Sequence, residues 1–239
     1  MVLYFYDDLE DGKLPDDCTE FNCSNCYLTE TYLLPELPSS LTTFICDNND
    51  LRSLPKLPMS LKELMCFNNR LTELQSNLPY SLIILRCENN NLHELPIIPN
   101  MLEELICSNN KIIEINNLSL TIIKVDCSNN RISELPFLGD SLKILRCDNN
   151  NLSKLPHKLP YLLEHLSCNN NNLSKLSELP ISLITFYCYN NLIKNISQHN
   201  YKVMQECKYL EVMCNPFSRR FSNDVEFIEY ISHHDYKDM

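Results

Sequence analysis

The chain has 239 residues, with 31 acidic against 20 basic side chains and a formal charge of −11. That balance speaks against a phosphate backbone or an anionic membrane as the main ligand, because Lys and Arg carry such contacts. Hydrophobic residues make up 44% and charged residues 21%, which excludes a disordered chain and allows a sizeable core. No apolar run approaches the roughly 18 residues of a membrane span, so no membrane insertion is expected. The chain opens on Val2 to Tyr6, apolar and strand-like, and then turns acidic up to Asp17. It shows neither the basic start nor the long apolar centre of a secretory leader, so a cytoplasmic location is expected, with residues 1–17 as an amino-terminal cap.

From there the sequence is periodic. Cys23, Cys46, Cys66, Cys87, Cys107, Cys127, Cys147, Cys168 and Cys188 follow one another at 23, 20, 21, 20, 20, 20, 21 and 20 residues. A fixed period near 20 marks a stacked repeat. Leu41 to Leu51, Leu61 to Leu71 and Leu142 to Leu152 all read L-x-x-(L/F)-x-C-x-N-N-x-L. With this core numbered 1 to 11, Cys18 and Cys207 take position 1, Cys26 position 9 and Cys214 the outward position 8. Twelve of the thirteen cysteines are then expected in buried slots. Cys18, Cys23 and Cys26 contain the C-x2-C spacing of zinc sites, but the register accounts for each and no second pair completes a tetrahedron. The odd count and the inward, parallel placement also disfavour disulfides. A reduced cysteine ladder with no metal and no cofactor is expected.

Positions 3 to 7 are predicted to form short parallel strands, with positions 4 and 6 pointing inward. The second Asn of each doublet, position 9, predicts a structural ladder of Asn49, Asn69, Asn90, Asn110, Asn130, Asn150, Asn171 and Asn191 that satisfies main-chain groups at a sharp turn. The preceding Asn points outward, tolerates the turn's backbone and is less constrained. The return half reads L-x-x-L-P-x-L-P-x-S in Leu51 to Ser60, with variants of it in the other repeats, and twelve of the thirteen prolines lie in these return segments. Proline excludes a long helix, so the outer side should be extended or polyproline-like. Ten position-9 sites imply about ten strands and a sheet roughly 45 to 50 Å long. The last repeat, Ile193 to Phe217, has room for a short helix near Tyr201 to Cys207. Asn223 and Glu226 have capping-box spacing, which predicts a helix over 222–234. The implied domains are a solenoid over 18–217 and a helical cap over 218–239.

The core matches the leucine-rich repeat pattern, with Cys in place of its third Leu. Leu54 to Leu71, L-P-K-L-P-M-S-L-K-E-L-M-C-F-N-N-R-L, resembles the short LPX-type leucine-rich repeats of bacterial pathogen effectors over about residues 14 to 195. The missing Ala, scarce Gly and abundant Asn and Ile, taken with the Cys pattern, are similar to leucine-rich repeat proteins of giant DNA viruses of amoebae, mimivirus-like ones included. The resemblance implies a solenoid: a leucine-rich repeat horseshoe with a parallel concave sheet and a non-catalytic, host–pathogen binding role in the host-cell cytoplasm. Some members of the effector family add a ubiquitin-ligase domain. The roughly 22 residues after Phe217 are too few for one, and Cys214 belongs to a repeat.

No G-x-S-x-G, Gly-rich phosphate loop or H-E-x-x-H occurs, so no enzyme and no small-molecule substrate are expected. His233, His234 and Asp235 read as an ordinary polar tail. Outward strand positions are more informative, because solenoids bind on that face. Ile45, Met65, Phe67, Ile84, Arg86, Ile106, Arg146, Tyr187 and Tyr189 combine apolar, aromatic and Arg side chains, the composition of interface hot spots. They are expected to bind a protein, with no role for nucleic acid. The alternative is an assembly component, such as a virion or complex subunit, or a metal binder acting through its thiols.

Overall fold

The computed structural model describes residues 3–9, 12–29 and 34–233. It divides into two compact units, Met1–Ile122 and Ile123–Met239. The first holds strands β1 (Leu3–Phe5), β2 (Glu20–Asn22), β3 (Thr43–Ile45), β4 (Glu63–Met65), β5 (Ile84–Arg86) and β6 (Glu104–Ile106). Each pairs in parallel with the next, in register. The second holds β7 (Lys124–Asp126), β8 (Ile144–Arg146), β9 (His165–Ser167), β10 (Thr185–Tyr187) and β11 (Tyr209–Glu211), again paired in order. Helix α1 (Gln198–Glu206) lies between β10 and β11, and α2 (Asp224–His233) follows them. The fold is therefore a parallel repeat solenoid with eleven strands among the described residues, one more than the ten position-9 sites imply, because β1 pairs as a further strand.

Each strand covers positions 3 to 5, shorter than the expected 3 to 7. Main-chain pairing nonetheless runs on: Cys46 N donates to Met65 O at 2.8 Å and Asn48 N to Phe67 O at 3.1 Å. The chain then meets a left-handed residue at position 8. Asn48, Asn68, Asn89 and Asn109 in the first unit, and Asn129, Asn149, Asn170 and Asn190 in the second, all have φ between 51° and 56°. This overturns the expectation that position 8 is less constrained. A left-handed backbone disfavours residues with a Cβ, and Asn tolerates it best among them.

Position 9 closes the turn from inside. Asn69 Nδ2 donates to Cys46 O at 3.0 Å and Cys66 O at 3.2 Å, while its Oδ1 accepts from Leu51 N at 3.0 Å. Asn150 repeats the arrangement with Cys127 O, Cys147 O and Ile132 N. A primary amide offers two donors and one acceptor, which is what three such groups at one corner require. The Ser ending the return segment adds a smaller device. Ser60 Oγ donates to Leu41 O and Ser182 Oγ to Leu163 O, each at 2.7 Å.

The core between sheet and return segments is built from Leu at positions 1, 4 and 11 and Cys at position 6, most of them fully buried. All thirteen cysteines are free thiols. Ten are buried, but Cys26 and Cys207 are only half-buried, and Cys214 is exposed. The half-buried pair falls short of the sequence expectation. Among the described residues the return segments between β2 and α1 contain no α-helix, consistent with their prolines. At the far end Asn223 Oδ1 caps Glu226 N at 2.9 Å, while the Glu226 carboxylate reaches back to Ser222 N at 2.6 Å and is held below the usual carboxylate range by that bond. Asp224 Oδ1 accepts from Val212 N at 2.8 Å and Met213 N at 3.1 Å, occupying amides just past β11.

Candidate protein-binding face

In the first unit the outward side chains form three rows. The strand register sets Thr43, Glu63, Ile84 and Glu104 in one row, and Ile45, Met65, Arg86 and Ile106 in the next. Asp47, Phe67, Glu88 and Ser108 make the third, tied by Asn48 N to Phe67 O and Asn68 N to Glu88 O. Ile45, Met65, Phe67, Ile84 and Arg86 are half-buried. Ile106 differs from its sequence reading: at 8% exposure it is part of the interior. A branched side chain on strands about 4.8 Å apart is shielded by longer neighbours. The longer neighbour is Arg86, which pairs with Ile106 and crosses to β6, where its Nε and Nη2 lie 2.8 and 2.7 Å from Glu104 Oε1. Arg86 is thus already paired within the unit. Burial pushes the Asp47 carboxyl above its usual range, while Asn48 Nδ2 donates to it at 2.6 Å.

The second unit carries a more polar face. Its rows are Lys124, Ile144, His165, Thr185, Tyr209 and Asp126, Arg146, Ser167, Tyr187, Glu211. Asp148 Oδ1 accepts from Ser167 Oγ at 2.6 Å and Asn169 N at 2.7 Å, and Asn169 Oδ1 accepts from Tyr189 N at 2.6 Å. His165 Nδ1 lies 2.9 Å from Thr185 Oγ1. Arg146 is exposed, Tyr187 half-buried and Tyr189 40% exposed. The sequence-predicted residues therefore stand on two faces of different character, six in the first unit and three in the second.

Burial pushes the thiols of Cys46, Cys87, Cys147 and Cys188 well above their ordinary value, and Cys207 up to about 11. The thiols of Cys23, Cys127, Cys147 and Cys168, raised by burial as well, lie within 3.3 to 3.5 Å of the position-5 carbonyl on the next strand. Among the described residues no group of three or more His, Cys, Asp or Glu is placed to hold a metal ion. No helix there is long and apolar enough to cross a membrane. His233 ends α2, while His234 and Asp235 lie outside the described residues.

The structure also shows a feature that sequence reasoning missed. On the return side of the second unit, a groove of about 1070 Å³ is floored by Leu155, Leu159 and Leu179 and edged by Lys158, Ile181 and His199. Its signal was present in Tyr161 and Ile181, exposed apolar side chains two residues before position 1.

Solved structures share this architecture. YopM from Yersinia enterocolitica WA-314 matches with a TM-score of 0.66 and 29% identity, over 85% of this chain and 53% of that one. The leucine-rich effector protein YopM from Yersinia pestis matches with a TM-score of 0.70 and 32% identity, over 85% of this chain and 62% of that one. The fold is that of leucine-rich repeat proteins. The functional domain of InlJ from Listeria monocytogenes, described as including a cysteine ladder, matches at a TM-score of 0.56 and 25% identity, over 84% and 54% of the two chains. The chain thus spans 53% to 62% of the length of these leucine-rich repeat neighbours. No protein-family model and no curated relative matches the sequence.

Proposed function

We propose that this leucine-rich repeat chain is a non-catalytic interaction scaffold that binds a protein partner on its sheet face, in the cytoplasm. The observation carrying this reading is the first unit's face. Ile45, Met65, Phe67 and Ile84 stand half-exposed on a rigid main-chain ladder, while the neighbouring inward positions are filled by Phe44, Leu64, Leu85 and the ladder cysteines. Apolar side chains held outward on rigid elements cost little ordering entropy when a partner covers them. The two YopM neighbours, one described as an effector, support a role in a host cell. The Ala-free, Asn-rich composition supports a viral source as well. The scaffold is divided into residues 1–17 as one cap, 18–217 as the binding solenoid and 218–239 as the other cap. Neither a cofactor nor nucleic acid takes part.

A second reading, assembly through an edge, draws on β1. Leu3 and Phe5 are 40% and 47% exposed on a strand whose only pairing among the described residues is to β2. Thiol-based metal binding is disfavoured, because coordination needs thiolates and burial keeps the ladder protonated. The deciding measurement takes a partner isolated from host lysate and compares its affinity for four substitutions. Phe67→Ala and Met65→Ala should weaken binding, whereas Lys56→Ala and Lys154→Ala on the return side should not. The reverse pattern would move the function to the return segments.

A further inference from the structure

The carboxylates of the first unit's sheet face are not scattered among its apolar side chains. Ile84 is bracketed in register by Glu63 on β4 and Glu104 on β6. Phe67 is bracketed in the same way by Asp47 and Glu88, through the main-chain bonds that continue past the strands. Adding Glu20 on β2, the outward positions of β2 to β6 hold five acidic side chains against one basic one, Arg86, a local charge of 1 − 5 = −4. Arg86 is committed to Glu104. The half-buried Glu63 carboxylate has neither an ion pair nor a hydrogen bond among the described residues.

The second unit provides the contrast. Its outward positions carry Lys124 and Arg146 against Asp126, Asp148 and Glu211, and Asp148 already accepts from Ser167 and Asn169. The first face therefore presents apolar anchors with acids beside them at one-strand spacing, about 4.8 Å. The complement to that pattern is a protein segment in which apolar side chains alternate with Lys or Arg.

We propose that the first unit's sheet face docks a basic, amphipathic protein segment, with apolar side chains seated against Met65, Phe67 and Ile84 and a cationic side chain paired to Glu63. This rests on the sheet-face reading given above and names the chemistry of its partner. A half-buried, unpaired carboxylate beside apolar surface gains most from a cation brought in with that surface, because the apolar contact removes competing water.

The probes are three fluorescein-labelled peptides of equal length, alternating Leu with Lys, with Ser or with Glu, titrated against the full chain by anisotropy. The Leu/Lys peptide should bind, and Glu63→Gln should weaken it about fivefold or more, as expected for loss of a charge-assisted contact. Glu63→Lys should abolish that binding and create binding of the Leu/Glu peptide. Glu73→Gln, an exposed carboxylate on the return side, should change nothing, which separates a local effect from the attraction of the chain's overall negative charge. Thermal melts check that each variant folds. Equal binding of the Leu/Lys peptide to the Glu63→Gln and Glu73→Gln variants, or no binding of it at all, would overturn the proposal. If the Leu/Ser peptide binds as tightly as Leu/Lys and Phe67→Ala removes both, the sheet face stands and the charge inference falls. If binding is indifferent to Phe67→Ala and Met65→Ser as well, both fall.

Discussion

The two units are built on one turn and finished with two surfaces. Inside, they are interchangeable: Asn69 and Asn150 make the same three classes of hydrogen bond at distances differing by no more than 0.1 Å, and the position-6 thiols sit in the same slot. Outside, the first unit leaves half-buried apolar side chains next to carboxylates, whereas the second ties its polar groups to one another through Asp148, Asn169 and His165. The lesson is a division of labour within each period of about 20 residues. Inward positions are dictated by stacking, so they recur, and outward positions are released from it, so they are where the two units can differ.

The comparison can be broken most forcefully with pH. In the folded chain, burial raises the thiols of Cys23, Cys46, Cys66 and Cys87 in one unit and of Cys127, Cys147, Cys168 and Cys188 in the other. The unfolded chain releases these protons first, above about pH 8.5. The folded state then binds more protons, so stability present below that pH is lost as pH rises, by up to about 1.4 kcal/mol per thiol per pH unit. Urea melts in reductant at about pH 7.5 and about pH 9.5 should show a large loss, shared by both units if their interiors are equivalent. An unchanged midpoint would mean that the ladder does not exclude water.

Next in size is the Asn corner. Asn69→Ala and Asn150→Ala should each cost about 1–3 kcal/mol by stranding main-chain groups, and the two losses should agree. Denaturant midpoints decide this, and a twofold disagreement would show that the interiors differ after all. The surfaces should then separate. With a sheet-face partner in hand, Phe67→Ala should cost about 2 kcal/mol of affinity and Tyr187→Ala well under about 1 kcal/mol. Equal losses would extend the binding site to the second unit's face. The smallest effect concerns the outward Asn. Asn109→Ala should cost about 1 kcal/mol because its backbone is left-handed, while Asn109→Gly should be close to neutral. If Ala and Gly behave alike, the conformational account of position 8 is wrong.

The period, the inward Leu and Cys, the extended return segments and the Asn223 cap of α2 were all legible in the sequence, because each follows from a constraint that recurs or has its own signature. What escaped had a weaker local mark. Leu3–Phe5 lacks the Asn doublet that announces a turn, so it reads as a cap and yet pairs as a strand. The left-handed backbone at position 8 was signalled by the doublet itself, since Asn is the non-glycine residue most at home there. The burial of Ile106 depends on which neighbour reaches over it, and the Arg86–Glu104 contact is a tertiary fact with no sequence period. The candidate face was therefore legible as a set of positions. Which of those positions a partner can reach was not.

The hydrogen bonds of the Asn corner all point one way along the chain. Leu51 N is satisfied by Asn69, Leu71 N by Asn90 and Leu152 N by Asn171, so a turn's polar groups are completed by residues arriving 18 or 19 positions later. Among the described residues no further Asn corner follows Asn215, and Ser218 and Asp224 stand in, taking the main-chain groups of Val212 and Met213. Growth of the solenoid is thus vectorial. During synthesis each coil remains unfinished until the next one leaves the ribosome, and the stretch after Asn215 acts as the terminator that lets the last coil close.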